Sequence, residues 1–353
     1  MSNIFRKLIR PALFRLDAEK AHELSVKALR SGLVGIFTPK RTPNQGLDRF
    51  GLMFDNPIGV AAGFDKNGVV VNQLAALGFG FVEVGTVTCE PQKGNEKPRL
   101  FRLPEDHALI NRLGFNNDGA KRIAERLECI DRKCVIGVNI GKNKDVPNEE
   151  ATGNYLQSLE LIHEVADYIA VNISSPNTPN LRELQKSDNL QELLGALQTR
   201  NAALGTKPLL VKIAPDLTEV DIEMIVDVCL GLEVAGIIAT NTTVSRDGLT
   251  TRNASEFGSG GLSGKPLAAR SNEVIRSIYR YSKGKVPIIG VGGIFSGRDA
   301  FDKIAAGASL LQAYTGFIYS GPSFARDVNT ELTGLIKERG FADLDDAIGS
   351  ECR

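Results

Sequence analysis

The chain has 353 residues, with 42 Lys and Arg against 42 Asp and Glu, 36 glycines and no Trp. A balanced charge gives no global field for nucleic acid, and the composition is that of a soluble globular protein. The five cysteines, Cys89, Cys129, Cys134, Cys229 and Cys352, form no C-x-x-C pair, so no metal site is expected and the thiols fit a reducing compartment.

No run of 18 or more apolar residues occurs, so no membrane-spanning helix is expected, and the N-terminus lacks the pattern of a signal peptide. Residues 3–16, N-I-F-R-K-L-I-R-P-A-L-F-R-L, interleave apolar Ile4, Phe5, Leu8, Ile9, Leu13 and Phe14 with basic Arg6, Lys7, Arg10 and Arg15. A helix lying on a membrane surface reads this way. A helix packed on the domain with its cations in water reads the same way, and charge pattern alone favours that second reading. Asp17 is placed to cap a second helix over 18–29, and P-K-R-T-P at 39–43 has the composition of a linker.

From residue 55 onward short apolar strands alternate with amphipathic helices. The strands fall at 58–61, 81–84, 135–139, 168–173, 209–213, 236–239, 287–291 and 310–313. The helical patterns fall near 68–77, 119–128, 153–166, 188–203, 218–230, 266–281, 297–306 and 322–338. Continuous apolar strands followed by helices imply a parallel sheet covered by helices. Eight such units predict an α/β fold, a (β/α)8 TIM barrel, with a small N-terminal helical extension. A doubly wound open sheet is the alternative, but the first strand is not followed by G-x-G-x-x-G. Two connections, 86–117 and 241–265, are long, and both leave the C-terminal ends of strands, where barrel enzymes carry their sites.

The strand ends bear the polar groups. Lys66, Thr86, Asn139, Asn172, Lys212, Thr240, Asn241 and Thr315 would face one opening. Gly292-Gly293 and Tyr314-Thr315-Gly316 close the last two strands, the usual phosphate cradle of this fold, and Gly261-Leu-Ser-Gly264 offers a further side. Tight turns without a ligand would use the same glycines. Lys66 and Lys212 would repel each other in a closed mouth unless an anion lay between them. Of three histidines, His22 and His163 lie in helices away from the strand ends, and His107 reaches the mouth only if its insertion folds over it. Asp65 and Glu83 are the nearest carboxylates and read as structural. A mouth rich in Asn and Lys suits a planar, anionic, amide-bearing substrate, because Asn both donates and accepts.

These segments resemble one family. N-P-I-G-V-A-A-G-F-D-K-N-G at 56–68, V-E-V-G-T-V-T at 82–88, N-R-L-G-F-N-N-D-G at 111–119 and V-N-I-S-S-P-N-T-P-N-L-R at 171–182 carry the resemblance. So do L-L-V-K-I-A-P-D at 209–216, A-T-N-T-T at 239–243 and G-V-G-G-I-F-S-G at 290–297. In that order, over nearly the whole chain, they resemble dihydroorotate dehydrogenase. The basic N-terminal extension and Ser175 resemble the membrane-associated, quinone-dependent class; the cytosolic class carries Cys at the equivalent loop position. Phe64 stands where the family often has Leu, a conservative change.

The resemblance implies an FMN enzyme that oxidises (S)-dihydroorotate to orotate in pyrimidine biosynthesis, with a membrane quinone as final acceptor. The alternative it leaves is another FMN barrel acting on a pyrimidine with a fumarate or nicotinamide acceptor. FMN would meet Ala62, Gly63, Lys66, Thr86, Asn139, Asn172, Lys212, Thr240, Gly264, Gly293, Tyr314 and Thr315. Substrate would meet Lys66, Asn111, Arg112, Leu113, Gly114, Phe115, Asn172, Asn177, Asn241 and Thr242. Ser175 would be the catalytic base and Thr178 its proton relay by proximity. Only the resemblance selects Ser175 over Ser174. It also reverses the reading of residues 3–16: residues 1–40 become a membrane and quinone-access extension, and 41–353 the FMN-binding catalytic barrel. The expected setting is the cytoplasmic face of the bacterial inner membrane, as a peripheral membrane protein, with a monomer as the expected assembly.

Overall fold

The apolar runs become strands because helices cover one side of each and the neighbouring strands satisfy its backbone. In the computed structural model, which describes residues 5–32 and 46–352, eight parallel strands close into a barrel. They are β1 (Ile58–Val60), β2 (Phe81–Val87), β3 (Val135–Ile140), β4 (Tyr168–Asn172), β5 (Leu209–Ile213), β6 (Gly236–Ala239), β7 (Ile288–Val291) and β8 (Leu310–Ala313). Each pairs with the next in chain order, and β8 closes on β1 through Ala313 opposite Val60. The (β/α)8 barrel expected from the alternation is thus present, with every expected strand in place.

Alternation within each strand decides what faces inward. In β4, Ile169 and Val171 face the surrounding helices, whereas Tyr168 and Ala170 join Phe81, Leu210, Ile238, Ile289 and Leu310 in the barrel interior. Glycine makes room for the large rings. A Cβ on Gly137 would lie 2.0 Å from the Tyr168 ring, and one on Gly59 would lie 2.5 Å from Phe81. A hairpin, Leu47–Arg49 with Leu52–Phe54, closes the N-terminal end of the barrel and inserts Phe54 beneath Phe81, ring centroids 5.2 Å apart.

The two long insertions are not irregular loops. Leu100–Leu103, Ala108–Asn111 and Gly261–Gly264 form one antiparallel sheet over the opposite, C-terminal end, with Asn111 opposite both Leu100 and Gly261. Each strand has four residues, and the outer two are far apart in sequence, so neither insertion shows a strand pattern by itself.

The helical character expected over 3–16 takes the form of a π-helical turn, Phe5–Ile9, running into a short α-helix, Arg10–Phe14. Pro11, which lacks an N–H, sits in the first turn of the second piece, where the hydrogen-bond register changes. Asp17 then caps Ala18–Arg30 by accepting from the Glu19 and Lys20 N–H groups at 3.1 and 3.0 Å. The linker expected at 39–43 lies outside the described residues. The helix expected to run to 166 ends at Ile162 and tightens into a 3-10 turn, His163–Val165.

Candidate active site

A cleft of about 1000 Å³ opens at the C-terminal ends of the strands, a size suited to a cofactor and a small substrate. The loop after β1 contributes Ala62, Gly63 and Lys66, and β2 contributes Thr86. The first insertion folds over the mouth and brings Asn111, Leu113, Gly114 and Phe115. Asn172, Ser175 and Asn177 follow β4, Lys212 comes from β5, and Thr240, Asn241 and Thr242 follow β6. Gly264, Gly293, Tyr314 and Thr315 complete the wall.

Two of the residues expected to contact FMN or substrate do not line the cleft. Asn139 is fully buried behind it. Its Oδ1 accepts from Thr86 Oγ1 at 2.6 Å and Asn172 Nδ2 at 3.2 Å, so it orients two residues that do line the wall. Arg112 turns away into the second insertion, donating to the carbonyls of Phe257 and Ser259 and stacking on Phe101 at 4.7 Å.

The amides form two hydrogen-bonded groups, one around Asn172 and one joining Asn177 to Asn111. Asn172 Nδ2 donates to Thr86 Oγ1 at 2.9 Å, and Asn241 Nδ2 donates to Asn172 Oδ1 at 3.2 Å and to Ser174 Oγ at 3.0 Å. Asn177 Nδ2 donates to Asn111 Oδ1 at 3.1 Å, tying the β4 loop to the first insertion. The neighbouring serines differ sharply. Ser174 is fully buried; it donates to Asn172 Oδ1 at 3.2 Å and accepts from Asn241. Ser175 lines the cleft; its Oγ accepts from the Asn177 N–H at 3.2 Å, and among the described residues no protein group accepts its proton. Thr178 is buried nearby but does not line the cleft.

The two lysines have different surroundings. Burial pushes the Lys66 ammonium down to about 8, with Glu19 opposing and Arg99 adding to the shift. The anion that Lys212 requires is already in the protein: Glu83, fully buried inside the barrel, lies 3.4 Å from its Nζ. Asp65 turns away from the mouth and accepts from the Val69 and Val70 N–H groups at 2.9 and 2.8 Å. None of the histidines lines the cleft. Burial and the nearby Lys66 charge push His22 down to about 3, so it packs as a neutral ring on Phe64, 5.1 Å between centroids. His107 packs against Phe295 and Tyr319, and His163 bonds Asn201 at 3.2 Å.

After β7 and β8 the wall is backbone. Gly293 has φ +75°, and a Cβ there would lie 2.4 Å from the Ala268 Cβ; one on Gly316 would lie 1.8 Å from the Ile294 carbonyl. Only glycine lets these segments approach so closely, which leaves a recess of peptide groups suited to a phosphate. Ser263 and Thr315 share a hydrogen bond of 2.8 Å at its edge. Sequence reasoning missed Ser263 and Gln312. Gln312 follows the inward parity of Leu310, and that parity was the available signal.

A second cavity, about 1150 Å³ and apolar, lies between the N-terminal helices and the barrel. Phe5, Leu13, Phe14, Leu29, Phe64 and Phe317 are among its walls, with Arg102 at one side. Phe64 packs against Tyr314, which lines the first cleft, with ring centroids 6.2 Å apart.

The model of one family, dihydroorotate dehydrogenase, matches residues 47–336. A dihydroorotate dehydrogenase (quinone) of Christiangramia forsetii is 49% identical over 338 residues, covering 93% of this chain and 98% of the relative. One from Gloeobacter violaceus is 50% identical over 350 residues, covering 97% and 98%. Among solved structures, DHODH from Eimeria tenella in complex with ferulenol superposes with a TM-score of 0.89 at 40% identity, covering 96% of each chain. Barrel, polar mouth and near-full-length likeness converge, and the chain belongs to the dihydroorotate dehydrogenase family.

Proposed function

We propose that the cleft binds FMN and dihydroorotate together, that Ser175 is the base, and that the apolar cavity under the N-terminal helices admits the quinone. The chain is a quinone-linked dihydroorotate dehydrogenase that oxidises dihydroorotate to orotate in pyrimidine biosynthesis, with FMN as cofactor. FMN, when bound, supplies a two-electron acceptor for substrate hydride.

The residues present fit that cofactor. The peptide recess at Gly293 and Thr315 suits its phosphate, and Lys212 suits its electron-rich ring edge. Gln312 lies in the cleft wall, and its Oε1, fully buried, has no hydrogen-bond partner among the described residues. Lys66, Asn111, Asn172, Asn177, Asn241 and Thr242 supply a cation and amides for the carboxylate and imide of the substrate. Phe115 and Leu113 cover the site against water.

One observation carries the assignment of the base: Ser175 lines the cleft and among the described residues no protein group accepts its proton, whereas Ser174 is held in the asparagine net. A serine removes a carbon-bound proton only in a dry, oriented site. The N-terminal residues 1–40 are read as the quinone-access unit and 41–353 as the catalytic unit. Leu8 at 69%, Leu24 at 48% and Leu16 at 44% exposure present apolar side chains to solvent beside exposed Arg6, Lys7 and Arg15. That supports a membrane-surface face; no described helix is long and apolar enough to cross a membrane. The five unpaired thiols support the cytoplasmic side.

The test is the visible spectrum of the purified protein before and after adding dihydroorotate without air. A flavin band bleached by substrate is expected; a colourless protein would overturn the reading. Removing residues 1–32 is expected to abolish vesicle binding and reduction of a long-chain quinone while sparing the bleaching. Vesicle binding that survives the truncation would sink the role of the extension.

A further inference from the structure

The barrel interior holds an unusual object for a hydrophobic core: a fully buried carboxylate with every acceptor position occupied. Glu83 Oε1 accepts from Asn139 Nδ2 at 2.8 Å and from Lys212 Nζ at 3.4 Å. Its Oε2 accepts from Gln312 Nε2 at 2.6 Å and from Tyr168 Oη at 3.0 Å. The four donors come from β3, β5, β8 and β4. Two of them, Lys212 and Gln312, also line the cleft. Gly137 is required beside Glu83, because any Cβ there would strike Tyr168.

A carboxylate is costly to bury, and a fold needing only packing would place an apolar residue here. What Glu83 alone provides is a fixed negative charge against the one ammonium that enters the cleft from the barrel core. It also fixes the amide of Gln312: a carboxylate accepts only, so Nε2 must face Glu83, and Oε1 is left buried with no hydrogen-bond partner among the described residues.

We propose that Glu83 is a positioning residue for the reaction: its carboxylate holds the Lys212 ammonium and the Gln312 amide in place and sets the reduction potential of the bound flavin. The inference rests on the reading above that FMN lies against Lys212. An ammonium stabilises the negative charge that the flavin gains on reduction, and Glu83 offsets part of that field. Flavin poised too high would accept electrons from dihydroorotate readily but hold them against the quinone. The buried counter-charge keeps the second transfer open.

The experiment is dye-equilibrated reductive titration of the FMN-loaded protein and its variants. Glu83→Gln removes the charge at nearly constant volume. It also turns the Gln312 amide over, since two NH2 groups cannot face each other. The midpoint potential is expected to rise by about 30 mV or more, a tenfold change in the two-electron equilibrium. Flavin bleaching by dihydroorotate should persist while reoxidation by a short-chain quinone slows. Tyr168→Phe removes one hydrogen bond and keeps the charge, so its potential should move by less than a third as much. An unchanged or lowered potential in Glu83→Gln, or an equal rise in Tyr168→Phe, would overturn the proposal.

If Glu83→Gln fails to fold or to hold flavin, Glu83→Asp replaces it. That variant keeps the charge but withdraws it from Lys212, and a smaller rise is expected; no rise overturns the proposal. Lys212→Met separates this inference from the reading beneath it. Its potential should fall. A fall there with no response in the Glu83 variants refutes only the role of Glu83. No response to Lys212→Met means that FMN does not lie against Lys212, and both fail.

Discussion

Ser175→Ala and Ser174→Ala test the assignment that the sequence could not make. Ser175 Oγ accepts one hydrogen bond, from the Asn177 N–H at 3.2 Å, so its loss should cost at most about 1 kcal/mol of stability. Ser174 Oγ makes two buried bonds, to Asn172 at 3.2 Å and from Asn241 at 3.0 Å, and its loss should cost about 1–3 kcal/mol. The kinetic order should be the reverse. A positioned general base contributes about 10²- to 10⁴-fold, which at about 1.4 kcal/mol per decade is about 3–5 kcal/mol of barrier. Ser175→Ala should keep its FMN and bleach at least about a hundredfold more slowly. Ser174→Ala should be thermally weaker yet bleach within about tenfold of the parent. The assay is anaerobic stopped-flow reduction by dihydroorotate, with urea unfolding of the same samples. Near-normal bleaching by Ser175→Ala, or a greater rate loss in Ser174→Ala, would refute the assignment.

Further outcomes follow from the geometry at three residues. Lys66 is lowered by burial from 10.5 to about 8, so orotate binding to the FMN-loaded protein should weaken as pH rises through about 8, and Lys66→Met should flatten that profile. The stability sign is opposite: the folded chain binds fewer protons between those values, so burying the ammonium costs most below about 8 and the cost fades as pH rises, read from urea midpoints against pH. Arg99, buried with Glu19 at 2.7 Å, also donates to the carbonyls of Lys93 and Asn95 at 2.7 Å each; Arg99→Ala should cost about 3–5 kcal/mol in urea unfolding and loosen the N-terminal helix, so that quinone reduction falls more than flavin bleaching. Gly137→Ala drives a methyl to 2.0 Å from the Tyr168 ring and should cost about 1–3 kcal/mol or prevent folding; a neutral result would mean that the ring has room to move.

The barrel was legible because its strands are continuous apolar runs set at regular intervals between helical patterns. The mouth was legible because polar residues recur at the strand ends, and nearly all those singled out do line the cleft. What stayed hidden depends on partners distant in sequence. Phe81 and Glu83 share one face of β2, but nothing local says that face is the barrel interior until Lys212 and Gln312 arrive from β5 and β8. Arg112 sits in the same motif as Asn111 and Leu113, yet alternation in the insertion turns it toward Phe257. Adjacent Ser174 and Ser175 are chemically identical in sequence; Asn241, 67 residues from Ser174, separates their roles.

The loop after β1 ties the two half-reactions together. Gly63 and Lys66 line the cleft proposed for flavin and substrate, while Phe64, between them in sequence, lines the apolar cavity proposed for the quinone. Asp65 fixes the loop through the Val69 and Val70 N–H groups, so neighbouring side chains are committed to opposite chambers. Phe64 touches the ring of Tyr314 on the cleft side and that of His22 on the helix side. His22, pushed down to about 3 by burial and Lys66, stays neutral and adds no charge to the apolar chamber. Substrate and quinone can therefore be held apart by a single layer of rings. In the arrangement proposed above, polar dihydroorotate would stay among asparagines and lipid-soluble quinone among phenylalanines and leucines, and only electrons would need to pass between them.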